Sequence, residues 1–128
     1  MKVDTVVDKK ASVMIHTITG KMTFDEIRSS YEAILSHPDF QESMNSIWDL
    51  READASKLDS IDIIKMARYF ETKEKNRAKY KAAVVVSRDS EYSLSRKYQV
   101  AAADLPAKVD IFIDLEAAKE WVRGSDQP

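Results

Sequence analysis

The chain contains no cysteine. That absence removes disulfide frameworks, thiolate nucleophiles, CxxC redox pairs and cysteine-based zinc sites together. Glycine is nearly as scarce, with 2 residues in 128, at positions 20 and 124. No P-loop, GxGxxG turn or GxSxG elbow is therefore present. With 3 prolines, collagen-like and low-complexity architectures are excluded as well. Two histidines, His16 and His37, show neither HxH nor HxxxH spacing, so no metal site is expected. Charge of one sign is also lacking: 20 basic against 22 acidic residues leave a net charge of −2. Nothing there draws the chain as a whole to nucleic acid. The longest purely aliphatic run, Ala82 to Val86, falls far short of the ~20 residues of a membrane helix. The opening MKVDTVVDKK has an acid at Asp4 and no signal-peptide core. The expectation is a cytoplasmic protein with no membrane span and no nucleic-acid partner.

What remains is an ordinary core-forming composition, 44% hydrophobic, under a heavily charged surface, 33% Asp, Glu, Lys and Arg. The length matches one domain, residues 1–128, with 124–128 as a short tail. Val3–Val7 reads as a short strand and Asp8-Lys9-Lys10 as a polar turn. Alternation through Ala11–Thr19 makes a second strand, broken by Gly20. Thr23-Phe24-Asp25-Glu26 is a capping-box sequence in which Thr23 and Glu26 would each satisfy the other's backbone N–H. It opens a first helix, which His37-Pro38 ends. Ser46–Leu50 is the next strand, with Trp48 and Leu50 on one face and Ile47 and Asp49 on the other. Asp59 to Asn76 reads as a second helix with Ile63, Met66, Ala67 and Phe70 on one stripe, widened by Ile61 and Ile64.

Tyr80–Ser87 contains AAVVV, apolar on both faces, the mark of a central strand covered on two sides. Leu94, Tyr98, Ala101, Ala102 and Leu105 recur at helical spacing up to Pro106. Lys108–Ile113 alternates as a last strand, and Asp114 caps a final helix closed by Gly124. The order is β-β-α-β-α-β-α-β-α. Right-handed crossovers make every strand after the hairpin parallel, so the expected fold is α/β, a mixed and mostly parallel five-stranded sheet with four helices.

This order, with ITGKMTFDEI entering the first helix, IWDLR as the third strand and VDIFIDLEAAKEWV at the end, resembles the STAS family. It is most similar to the SpoIIAA-like branch, the fold of bacterial anti-sigma-factor antagonists. In signalling members of that family the second helix opens with Asp-Ser-Ser-Gly, and the second serine accepts phosphate. Leu58-Asp59-Ser60-Ile61-Asp62 puts Asp59 and Ser60 on the first two positions, Ile61 on the acceptor and Asp62 on the glycine. The resemblance thus implies a regulatory fold without its usual phosphoserine.

Candidate site residues follow from where open α/β sheets bind ligands, beyond the carboxyl ends of their strands. Asp49 and Arg51, two apart at a strand end, would share a face there. Asp59 and Ser60 stand at a helix start, whose free N–H groups favour anions. Ser87 and Arg88 follow the buried AAVVV strand and would approach Arg51. Beside each stands a plainer reading: a local ion pair, a helix cap and a turn. Lys65, Arg68, Lys73, Lys75, Arg77, Lys79 and Lys81 form the strongest local charge bias, read as a solvated helix end interrupted by Glu71 and Glu74. No catalytic constellation emerges.

The expected function is a non-catalytic bacterial module acting through contact with a protein partner, without cofactor. Its alternative is a carrier of a small apolar or lipid-like ligand. A homodimer is expected because the hairpin leaves a sheet edge, and Tyr31, Phe40 and Tyr92 exceed what one small chain needs to bury.

Overall fold

The computed structural model describes residues 1–124, so most of the expected tail lies outside the described residues. Five strands form one sheet in the order β1-β2-β3-β4-β5. They are β1 (Lys2–Asp8), β2 (Val13–Lys21), β3 (Asn45–Asp54), β4 (Tyr80–Val85) and β5 (Ala107–Phe112). Only β1 runs antiparallel to its neighbour; the other pairings are parallel. Four helices connect or follow them: α1 (Phe24–Leu35), α2 (Ser60–Lys73), α3 (Asp89–Ala101) and α4 (Leu115–Arg123). The α/β class, element order and mixed sheet expected from the sequence are all present.

Alternation along the strands divides the core. Ile18 of β2 and Trp48 and Leu50 of β3 pack against Ile27 and Tyr31 of α1, Phe70 of α2, and Leu94 and Tyr98 of α3. On the opposite face Val13, Ile47, Ala83 and Val85 meet Ala118 and Val122 of α4. Strand β4 is apolar on both sides for this reason: its residues are shared between two helical layers.

Several boundaries differ from the sequence reading. The hairpin turn runs on to Ser12, which takes a left-handed φ of 58°, so β2 begins at Val13. Gly20 does not end β2; at φ 86° it carries the strand through to Lys21. Strand β3 reaches Asp54 because one extra residue bulges opposite Thr17–Thr19. Past that bulge the alternation flips, and Ala53 rather than Glu52 joins the face of Trp48 and Leu50. Helix α2 stops at Lys73, and α3 starts already at Asp89 and ends at Ala101. At the start of α1, Thr23 accepts from the Glu26 N–H at 3.3 Å, but the Glu26 carboxylate turns to the Thr23 hydroxyl, so the box is half made.

Two side-chain expectations are overturned. Ile61 and Ile64 do not widen the buried stripe of α2; they are 64% and 53% exposed. The helix packs inward along Ile63, Ala67 and Phe70, flanked by Met66 and Tyr69, which turns its first residues' other flank to solvent. The basic run is not a solvated helix end throughout either. Lys81 is buried in β4, and the Arg77 side chain is only 8% exposed beside Glu74.

Candidate functional site

The six residues singled out from the sequence gather at the carboxyl end of the sheet, in separate groups. Asp49 is buried on the α4 side, where Arg51 grips it twice, Nε to Oδ1 at 2.9 Å and Nη2 to Oδ2 at 2.8 Å. The Arg51 hydrogen bond is the main reason the Asp49 carboxyl lies below the usual carboxylate range. Ser87 closes the approach of β4 to β3 by donating its hydroxyl to the Arg51 carbonyl at 3.1 Å. Asp59 is the cap of α2: it accepts from the Asp62 N–H at 2.9 Å, and Asp62 accepts from the Asp59 N–H at 3.1 Å. Ser60 lies beside them and accepts a hydrogen bond from Lys97 of α3 at 3.1 Å. Arg88 pairs with Glu91 at 3.3 Å. Asp49 with Arg51 and Ser87 form one cluster; Asp59 and Ser60 form another, and Arg88 belongs with Glu91.

The larger feature lies where the carrier alternative would hold its ligand, but its two acids went unread in the sequence. Between the sheet and helices α1, α2 and α3 lies a cavity of about 110 Å³. Its walls are mostly apolar, with Trp48, Leu50, Met66, Leu94 and Val109 prominent. Two carboxylates interrupt them. Glu74 follows the last turn of α2, near the amino ends of the strands, and Glu91 sits in the first turn of α3, near the carboxyl ends.

Glu74 is 2% exposed and anchors a buried network. Its Oε2 accepts from the hydroxyls of Tyr31 and Tyr80 and from Arg77. Arg77 also donates to the carbonyls of Glu42 and Met44 and stacks on Tyr80, 3.6 Å from the ring centroid. Burial is the main cause that raises the phenols of Tyr31 and Tyr80, so both stay protonated donors. Glu91 is 3% exposed, and burial raises its carboxyl, with Arg88 partly offsetting the shift. Each carboxylate keeps one oxygen, Oε1, without a hydrogen-bond partner in the protein.

The signal for both acids was in the spacing. Glu74 continues the buried series Ile63, Ala67, Phe70, and Glu91 begins the series Glu91, Ser95, Tyr98, Ala102. A charged residue in phase with a buried helical stripe is either paired inside or part of a site. No group of three or more His, Asp or Glu residues positioned to hold a metal occurs among the described residues. No helix among them is long and apolar enough to cross a membrane.

No family model matches the chain, and no curated protein matches it either. Solved structures do. An uncharacterized protein of the DUF3478 family from Shewanella loihica PV-4, with a SpoIIAA-like fold, superposes with a TM-score of 0.59 at 17% identity, covering 94% of this chain and 92% of that one. An anti-sigma factor antagonist from Mycobacterium paratuberculosis gives a TM-score of 0.60 at 15% identity, covering 96% of both chains. The fold is therefore SpoIIAA-like over nearly the whole chain.

Proposed function

We propose that this protein is a non-catalytic bacterial regulatory module, cytoplasmic and acting through contact with a protein partner, without a phosphoserine switch. The observation that carries the reading is the exposed apolar pair Ile61 and Ile64 on the first turns of α2. Apolar side chains left in water side by side are a common mark of a contact surface. They stand immediately after Asp59 and Ser60, at the helix start where the STAS resemblance puts the regulatory site. On that resemblance Ile61 falls at the phospho-acceptor position, and it has no hydroxyl to modify. A permanently apolar residue there favours constitutive contact over contact gated by phosphate. An anti-sigma factor antagonist among the structural neighbours supports the same class of role. Those neighbours lend no support to a carrier of lipid-like ligands, and unpartnered carboxylate oxygens in the cavity suit no anionic headgroup.

The test is crosslinked capture from the native host, comparing the wild type with an Ile61→Glu, Ile64→Glu double variant and with Val100→Glu as a control at another exposed position. A partner held in fixed stoichiometry by wild type and control, and lost by the double variant, is the expected result. Equal capture by all three would place the contact elsewhere. A homodimer belongs to the same proposal, through the free edge of β1, where Val6 is 63% exposed. Light scattering that returned a monomer mass at micromolar concentration would remove it.

A further inference from the structure

The cavity of about 110 Å³ opens partly to solvent and is walled mostly by apolar side chains. It is bordered by two carboxylates whose Oε1 atoms have no protein partner, although both side chains are more than nine-tenths buried. A buried acceptor without a donor is destabilising, and native structures keep few of them. Glu91 is also held in place. Arg88 pairs with its Oε2 at 3.3 Å and the Ser87 backbone N–H also bonds the carboxylate, while Oε1 has no hydrogen-bond partner in the protein. Ser95, one turn further along α3, lines the same wall.

From this geometry we infer that the cavity binds a small apolar molecule bearing one hydrogen-bond donor, an alcohol or an amine, with its O–H or N–H given to Oε1 of Glu91. The walls require the apolar body: Leu50, Met66, Leu94 and Val109 offer no polar group for a second head. The carboxylate requires the donor, since an ionised carboxylate can only accept. A fatty acid or a phosphate-headed lipid would set like charge against Glu91 and is excluded by the same chemistry. The donor end lies toward the carboxyl ends of the strands, because Glu91 is in the first turn of α3. The body extends toward Tyr80 and Glu74, where a second donor on the molecule would find the other unpartnered Oε1. This goes beyond the protein-contact reading and stands without it, since Ile61 and Ile64 face away from the cavity.

The probes are cyclohexylmethanol and cyclohexylmethylamine, with cyclohexanecarboxylate as the anion and methylcyclohexane as the donorless body. Trp121→Phe leaves Trp48, in the cavity wall, as the sole indole of the 2 present. Saturable changes in Trp48 emission are expected with the alcohol and the amine. The carboxylate and the hydrocarbon should bind on the order of 10-fold more weakly or worse. Glu91→Gln keeps the shape but adds donors, so it should weaken the amine and strengthen the carboxylate. Ser95→Leu, one turn along α3, fills the wall and keeps the Glu91 carboxylate; it should abolish every response while the fold is retained, and this variant decides if Glu91→Gln does not fold. No response to either donor probe would mean that the cavity serves water only. Equal affinity for all four probes, an unchanged order in Glu91→Gln, or binding that survives Ser95→Leu would also overturn the inference.

Discussion

The hydroxyl of Tyr80 meets Oε2 of Glu74 at 2.6 Å, and Arg77, stacked over the Tyr80 ring, reaches the same oxygen at 3.2 Å. A carboxylate 2% exposed is thereby held by two phenols and a guanidinium. Breaking such a pair from one side leaves a buried charge without its counter-charge, which costs more than the pair contributes as a whole. Arg77→Ala is therefore expected to destabilise the fold by about 3–5 kcal/mol. The double variant Arg77→Met, Glu74→Gln should recover much of that loss, because it removes both charges, keeps volume and leaves an amide oxygen to accept from the Tyr31 and Tyr80 hydroxyls. Urea melts of the wild type and both variants check this. A double variant no more stable than Arg77→Ala would show that the network matters through geometry and not through charge.

His16 is a second buried polar group with a measurable consequence. It is 1% exposed, stacks with Trp48 at 4.4 Å between ring centroids, and shares a hydrogen bond of 2.9 Å between its Nδ1 and the Thr5 hydroxyl. Burial first, then the charges of His37 and Arg77, lower its pKa to about 4. In the unfolded chain it titrates near ~6.5. Between those values the unfolded state takes up a proton that the folded state refuses, so stability falls as the pH drops from about 6.5 to about 4 and levels off below. The loss should reach roughly 3 kcal/mol. Glu91 works against it: its carboxyl is raised in the fold, so its own contribution weakens as the pH rises. The difference between wild type and His16→Gln, followed by urea melts across this range, isolates the histidine. A pH-independent difference would refute the assignment.

The opening of α2 gives a smaller and sharper case. Asp59 and Asp62 cap each other's backbone N–H groups, whereas Ser56 gives its N–H, at 2.9 Å, and its hydroxyl to Asp54 and caps nothing in α2. Asp59→Ala should cost ~0.5–2 kcal/mol. Ser56→Ala should leave the denaturation midpoint where it is. If Ser56→Ala proved the more costly change, the helix would begin elsewhere.

These cases also mark what was legible in the residues. The element order was readable because alternation in β2 and β5 and the helical stripes of α1, α2 and α4 obey their simple periods. Asp59 as a cap and Asp49 with Arg51 as a pair were readable because both depend on neighbours in sequence. Ser87 meeting Arg51 followed from parallel strands ending together. A space between helices and sheet was the premise of the carrier alternative, but its size was not readable, since it depends on how far α1, α2 and α3 stand from the sheet. Glu74 was dismissed as an interruption of a basic run, although its phase with Phe70 placed it inside. Ile61 and Ile64 erred in the other direction: apolarity at helical spacing was taken for burial. The flip past the β3 bulge was invisible for a similar reason, since a period of two assumes an unbroken ladder.

Lys81 carries that lesson into a final prediction. It belongs to the basic run by sequence, yet in β4 its stem is buried and its ammonium donates to the carbonyls of Trp121 and Gly124, each at 2.9 Å. The last carbonyls of a helix have no partner within it, and they favour a cation. Lys81 thus closes α4 from the strand face on which the helix packs, with its nitrogen 5.4 Å from the Trp121 ring centroid. Asn45 reinforces the seam by donating to the Val122 carbonyl at 2.8 Å and accepting from the Lys81 N–H at 2.8 Å. Lys81→Met keeps an unbranched apolar stem and removes the donors, so it should cost about 1–3 kcal/mol, the range for stranding buried acceptors. The damage should be local to α4. In a Trp48→Phe background, emission from Trp121 should shift to the red as the helix end loosens, while far-ultraviolet circular dichroism stays near that of the parent. An unshifted Trp121 spectrum together with an unchanged midpoint would mean that the apolar contacts of Ala118 and Val122 hold the helix without the lysine.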